Sequence, residues 1–257
     1  MKLEVNDITF GYTGERNVLE NLSLTYETPD VMCILGSNGQ GKSTLLQCII
    51  GAFHVQKGSI LVDGKPVTSY HPRDFARKIA YIPQSHTPSF AYPVIDIVTM
   101  GRTARMGYFA NPSHEDRVAA MEQLEYLGID RLANQPYTQI SGGERQLVMI
   151  ASALAQAPEL LILDEPTAHL DFGNAYKFVQ LVNRLRDRGM GVLMTTHFPD
   201  HALELHGRTA IMSKGHVASM GEASEVITNE SMSKLYGIEV HVEHIASRTT
   251  CIPGPLD

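Results

Sequence analysis

Gly36-Ser37-Asn38-Gly39-Gln40-Gly41-Lys42-Ser43-Thr44 lies between an apolar run, Val31 to Leu35, and a helix-forming run, Leu45 to Ile50. Strand, glycine-rich loop and helix in that order make a phosphate-binding loop. The glycines let the backbone wrap closely enough to aim N–H groups at phosphate oxygens, and the following helix adds the positive end of its dipole. Lys42 is placed to reach the β- and γ-phosphates of a nucleotide, Ser43 to ligate Mg²⁺, and Thr44 to add hydroxyl contacts.

The bulk properties narrow the class. At 257 residues the chain is long enough for one large α/β domain, or one domain with an inserted subdomain. With 43% hydrophobic and 19% charged residues it reads as folded over most of its length. No apolar run reaches the roughly 18–20 residues of a membrane helix. Met1 to Val5 alternates like a strand and lacks the basic-then-apolar layout of a signal peptide, so the chain is expected in the cytosol. Net charge is −7 with Lys and Arg scattered, and without a basic stripe nucleic acid is not an expected partner. Cys33, Cys48 and Cys251 lack metal-ligand spacing, the first two reading as small core residues. No two of the eleven histidines are expected four apart on a helix, the spacing of a metal pair.

Alternation over residues 3–10 and 22–26, around Gly11-Tyr12-Thr13-Gly14, predicts antiparallel strands, and residues 58–68 predict another such pair. Residues 79–84 predict a short strand ending at Pro83 and Gln84. Helical signals dominate from about 93 to 136, with Val94 to Met100 followed by Ser113 to Leu127, closed by Gly128. Then come a helix from Glu144 to Gln156, a buried strand Leu160 to Leu163, a helix from Ala175 to Arg188, a strand Val192 to Thr195 and a strand near Thr209 to Met212. Strands alternating with helices imply a mainly parallel sheet with crossover helices. Residues 230–257 lose periodicity, and Pro253 and Pro255 predict a loosely packed tail.

Leu160 to Leu163 runs directly into Asp164-Glu165-Pro166-Thr167. Four buried residues aim Asp164 at the carboxyl edge of the sheet, where ligands bind in open α/β folds. Asp164 is a candidate to hold Mg²⁺, directly or through water. Glu165 is a candidate to orient water and accept its proton. A third segment, Ile140-Ser141-Gly142-Gly143-Glu144-Arg145-Gln146, precedes a helix; Ser141 can cap it and the glycines expose N–H groups, which makes a second anion site.

With that segment the chain resembles the ATP-binding cassette (ABC) ATPases, whose signature reads Leu-Ser-Gly-Gly-Gln/Glu; here Ile140 replaces the leucine. The resemblance covers about residues 1–225 and implies an α/β P-loop cassette: a mainly parallel sheet core, an antiparallel β layer and a helical subdomain inserted at about 85–157. The cassette would occupy 1–229, with a C-terminal extension at 230–257. By the same resemblance Tyr12 stacks on adenine, Gln84 senses Mg²⁺ and the γ-phosphate, Asp171 belongs to the loop Ala168-His169-Leu170-Asp171, and His197 contacts the γ-phosphate. Its implied cofactors are ATP and Mg²⁺. Two copies would pack head to tail, the phosphate loop of one and Ser141-Gly142-Gly143 of the other enclosing each ATP, so a homodimer is the implied active unit.

No membrane span or second cassette is fused to the engine, which implies a separate importer subunit at the cytoplasmic face of the inner membrane. Its partners would be transmembrane permease subunits and, indirectly, a periplasmic or extracellular substrate-binding protein. Met100-Gly101-Arg102-Thr103-Ala104-Arg105-Met106-Gly107, followed by Pro112 to Asp116, resembles ATPases that serve iron–siderophore, haem and cobalamin importers. Leu170 to Asn174 also resembles relatives serving molybdate or tungstate. The reading from another class is a soluble ABC ATPase such as an iron–sulfur assembly scaffold.

Overall fold

The computed structural model describes residues 1–12, 16–84, 90–107 and 110–255. Its first part runs β1 (Lys2–Phe10), β2 (Leu19–Glu27), β3 (Val31–Leu35), α1 (Lys42–Ile49), β4 (Lys57–Val62), β5 (Lys65–Pro66), α2 (Pro72–Lys78) and β6 (Ile79–Ile82). Then follow α3 (Val94–Met100), α4 (His114–Tyr126), α5 (Gly142–Ala155), β7 (Leu160–Leu163), α6 (Phe172–Asp187), β8 (Gly191–Thr196) and α7 (Pro199–Leu205). The chain closes with β9 (Arg208–Ser213), β10 (His216–Glu222), α8 (Ala223–Val226), α9 (Asn229–Tyr236), β11 (Val240–Ile245) and β12 (Arg248–Pro253).

A six-stranded sheet in the order β10-β9-β3-β8-β7-β6 forms the centre, parallel throughout except for β10 against β9. Its inner strands β3, β7 and β8 are buried on both faces, which is why β3 and β7 read as unbroken apolar runs. Val31, Cys33 and Leu35 of β3 join Leu161, Leu163, Val192 and Met194 in a core shared with α5, α6 and α7. The alternate residues Met32 and Ile34 join Ile162, Leu193 and α1 residues Leu45, Leu46, Cys48 and Ile49 in a second core. That core is closed by the antiparallel sheet β2-β1-β4-β5. The expected antiparallel layer is therefore present, and Cys33 and Cys48 are core residues; Thr13 and Gly14 of the expected turn lie outside the described residues.

Helices α3, α4 and one face of α5 share a third core around Val94, Val98, Leu124, Tyr137, Val148 and Ala151. This helical layer continues through α5, beyond the stretch of 93–136 where helical signals dominate; position 85 lies outside the described residues. Two helices start earlier than the apolar pattern predicts, because polar side chains cap them. Ser141 and Glu144 form a reciprocal capping box that starts α5 at Gly142. Asp171 Oδ1 accepts the Asn174 N–H at 2.9 Å and starts α6 at Phe172.

The expected loose tail is not what the structure contains. Residues 229–253 form α9 and the hairpin β11–β12, and Met232 and Val240 are buried in the same core as β3 and β7. The segment is tied down by polar contacts too: the Cys251 N–H donates to Asp200 Oδ1 at 2.8 Å and the Tyr236 hydroxyl to the His197 carbonyl at 2.8 Å. Short elements with at most one buried residue each show no periodicity long enough to read. Met232→Ala is expected to lower unfolding free energy by about 2–5 kcal/mol in urea denaturation, the cost of a core cavity. A change below about 0.5 kcal/mol, typical of a surface site, would restore the loose-tail reading.

Candidate active site

Strands β3 and β8 end together, and β7 and β6 end together two residues short of them. Leu35 pairs with Thr196, Leu163 with Met194 and Ile82 with Leu163. The residues that follow each strand therefore arrive at one edge: the loop 36–44 after β3, Asp164 and Glu165 after β7, His197 after β8 and Gln84 after β6.

The loop is built for an anion. Gly39 and Gly41 have φ of +78° and +94°, backbone that side-chain-bearing residues rarely adopt, and a Cβ on Gly36 would sit 2.8 Å from the Met212 carbonyl oxygen. Among the described residues, the N–H groups of residues 38–44 meet no intramolecular acceptor. A run of unpaired donors at the start of α1 fits a chain of phosphate oxygens, as the sequence implied. Gln40 Nε2 donates to Ser37 Oγ at 3.3 Å and its Oε1 accepts from the Lys214 N–H, bracing the loop against the β9–β10 turn. Asn38 and Ser43 are exposed beside the row, with the Ser43 hydroxyl open to a ligand.

Lys42 is 4% exposed, and its ammonium donates to the Gly36 carbonyl at 2.8 Å and the Ser37 carbonyl at 3.2 Å. It also pairs with Glu165 Oε1 at 2.9 Å. Glu165 Oε2 lies 3.2 Å from His197 Nδ1 and accepts from Gln84 Nε2 at 3.4 Å. All four candidate catalytic side chains, Lys42, Gln84, Glu165 and His197, thus meet at one carboxylate. Burial works to raise the Glu165 pKa, but the hydrogen bond and charge of Lys42, with His197 assisting, outweigh it and hold the carboxyl below its ordinary value.

Asp164 is buried next to this cluster. Thr195 Oγ1 donates to Asp164 Oδ1 at 2.7 Å and accepts the Glu165 N–H at 2.8 Å. Tyr81 OH reaches Asp164 Oδ2 at 3.5 Å and accepts from Gln47 Nε2 at 2.9 Å. Neither Thr195 nor Tyr81 was singled out by its sequence context; the one available signal is a hydroxyl set in each apolar strand. Two carboxylates, the Ser43 hydroxyl and the Gln84 amide are hard oxygen donors of the kind Mg²⁺ takes. Among the described residues no group of three or more His, Cys, Asp or Glu could hold a metal by itself. His197 and His201 are four apart, but His197 precedes α7, Phe198 lies against both rings, and His201 Nδ1 faces Thr167 Oγ1 at 3.2 Å.

Tyr12 stands at the mouth of the loop. Its ring packs edge-on against Phe10 and Phe53, its hydroxyl lies 2.9 Å from Thr44 Oγ1, and it is 61% exposed, leaving area for a planar ligand. Ser141, Gly143 and Asp171 do not join the cluster. They line a separate cleft of about 680 Å³ between α5 and α6, with Arg131, Leu170 and Asn174. Gly142 lines a smaller cleft of about 230 Å³ that has Gln84, Arg145 and Glu165 in its walls and no residue of the loop. One chain thus brings the loop to the carboxylates and leaves the Ser-Gly-Gly segment apart from the loop.

Residues 19–168 match the sequence pattern of the family described as ABC transporter. The chain belongs to the ABC transporter family. It is an ATP-binding, ATP-hydrolysing member. It is 34% identical to the molybdate import ATP-binding protein MolC of Haemophilus influenzae, covering 91% of this chain and 87% of that one. Identity is 32% to the iron(3+)-hydroxamate import ATP-binding protein FhuC of Bacillus subtilis (93% and 89% covered) and 31% to the hemin import ATP-binding protein HmuV of Myxococcus xanthus (100% and 96%). Among solved structures it resembles a chain of a putative metal-chelate type ABC transporter in an inward-facing conformation, with a TM-score of 0.87 at 32% identity over 98% of this chain and 97% of that one. A bacterial ABC transporter cassette solved as a dimer matches with a TM-score of 0.74 at 27% identity, over 86% and 98% of the two chains. The fold is accordingly an ABC ATPase cassette.

The ion pair gives a pH test. The folded-state pKa of Glu165 lies below its ordinary 4.5, so the pair stabilises the fold above that pH and its contribution is lost as pH falls through the lowered value. Lys42→Met is expected to bring the Glu165 pKa up, read by carbon NMR titration of its carboxyl, and to open a stability gap to wild type that closes on acidification. A gap that does not change with pH would contradict the pairing.

Proposed function

We propose that this chain is the ATP-hydrolysing subunit of an importer, working as a homodimer with a separate permease to take up a metal chelate such as an iron–siderophore, haem or cobalamin. The carrying observation is the joining of Lys42, Gln84, Glu165 and His197 at the mouth of a donor-lined loop. In this reading the phosphates of ATP lie along the N–H row of residues 38–44, and the Tyr12 ring takes the adenine. Ser43, Gln84 and Asp164 are the residues that would hold Mg²⁺, which offsets phosphate charge when bound.

The Lys42 ammonium then turns from Glu165 to phosphate. With that partner gone, burial acts on Glu165 with less opposition, its pKa rises, and it becomes a better proton acceptor for the attacking water. His197 leaves Glu165 to donate to the γ-phosphate. The second copy supplies Ser141, Gly142 and Gly143 on the far side of the nucleotide, with Asp171 at the contact, which accounts for their distance from the loop in one chain. The dimeric cassette among the similar structures supports that assembly.

The permease would meet the helical layer between Gln84 and Leu127. Tyr92 and Met100 are about half exposed there, whereas Val94 is fully buried in the subdomain core and offers no surface. No helix among the described residues is long and apolar enough to cross a membrane, so a bound permease would hold the chain at the cytoplasmic face, with a substrate-binding protein reached only through it. The named relatives for hydroxamate and hemin import, and the metal-chelate type structure, support the chelate reading. The molybdate relative supports an oxyanion cargo as the second reading.

Proteoliposomes made with the permease that co-purifies with the chain test this. Internal ATP should drive uptake of a ferric siderophore, haem or cobalamin, with molybdate as the oxyanion arm. Glu165→Gln should abolish uptake and slow hydrolysis by at least about a hundredfold, as expected for loss of a general base. Hydrolysis by Glu165→Gln at the wild-type rate would remove the base assignment, and uptake of molybdate alone would move the cargo to the second reading.

A further inference from the structure

Thr195 is fully buried in β8, between Met194 and Thr196. Its single hydroxyl does two things at once, donating to Asp164 Oδ1 at 2.7 Å and accepting the main-chain N–H of Glu165 at 2.8 Å. One proton and two lone pairs on that oxygen make the two bonds compatible. A buried threonine that serves only its own strand would be expected to satisfy its hydroxyl on a nearby carbonyl. This one reaches across to the neighbouring strand and touches both acidic residues at its end.

Glu165 needs such a hold. Its φ is +44°, in the left-handed region that residues bearing side chains rarely adopt, and a conformation of that kind persists only where the surroundings fix it. The hydrogen bond from the Glu165 N–H to Thr195 fastens the residue at that bend. On the other side of Asp164, Tyr81 OH approaches Oδ2 at the outer limit of a hydrogen bond, 3.5 Å, and is itself steadied by Gln47 from the loop helix α1. Each Asp164 oxygen keeps a further lone pair for a ligand.

We propose that Thr195 is a positioning residue for ATP hydrolysis, fixing the Asp164 carboxylate and the Glu165 backbone in one relation to each other. The inference rests on the roles given above to Asp164 and Glu165. Thr195 lies two residues before His197, which directly follows the strand, so the element that leads the histidine to the site also sets the geometry of both carboxylates.

Thr195→Val keeps the shape and removes both bonds. Its kcat is expected to fall by about tenfold or more, the effect of losing a partner that orients a metal-holding group. Electron paramagnetic resonance titration of Mn²⁺ into the ATP-loaded chain should show affinity weakened by a similar factor, about tenfold. Binding of a fluorescent ATP analogue in EDTA should not change. Thr195→Ser, which keeps the hydroxyl, should restore both kcat and Mn²⁺ affinity. If Thr195→Val shows no cooperative unfolding, Thr195→Ala replaces it with the same expectations. Wild-type kcat and Mn²⁺ affinity in the variant without the hydroxyl would overturn the proposal, as would a Thr195→Ser variant no better than valine. An inactive Glu165→Gln together with a fully active Thr195→Val would remove this inference alone, whereas an active Glu165→Gln would remove the reading beneath it.

Discussion

The fixed register of four parallel strands, whose ends fall within two residues of one another, is the constraint on which the site depends. Because β3, β7 and β8 are buried on both faces, a slip of one residue in any of them would exchange the residues facing the two cores. Register is therefore fixed by packing far from the edge: Cys33 and Leu161 belong to one core, Ile34 and Ile162 to the other. The chemistry at the edge inherits that precision. Glu165 meets Lys42, Gln84 and His197, which follow three different strands, only because Leu163 stands level with Met194 and Ile82.

Charge burial is the second determinant. An ammonium as enclosed as that of Lys42 is costly unless its donors are satisfied, and here two carbonyls and the Glu165 carboxylate satisfy them. The arrangement is self-sufficient without a ligand, yet it can exchange one partner for another of the same sign. A phosphate offers more charge than one carboxylate, and the loop adds unpaired N–H groups that Glu165 cannot reach. The same ion pair thus satisfies the buried cation and, in the proposed function, marks where an anion enters.

The parts of this site that depend on local sequence were readable in it. The loop 36–44 and the run Leu160 to Glu165 carry their context with them, since a buried strand leads directly into each functional turn. Ser141 and Glu144, three apart before an apolar helix, likewise declare a capping box. The early start of α6 at Phe172 is not legible, because the context of Asp171 marks its place in a loop and not a cap. Nor are α9 and the β11–β12 hairpin, whose anchors Met232 and Val240 find their partners in strands about two hundred residues earlier as well as in nearby helices. Thr195 belongs with these. Its strand was predicted, but the partners of its hydroxyl lie some thirty residues away, and only the sheet order brings them within reach.

Equilibrium titration of the purified chain with a fluorescent ATP analogue, wild type against Lys42→Ala, tests most directly whether the edge of the sheet is the nucleotide site. Removing the buried cation while leaving the loop backbone in place should weaken binding by about tenfold or more, the scale of losing a charge-assisted contact to phosphate. Unchanged affinity in Lys42→Ala would contradict the placement of ATP phosphates at this loop.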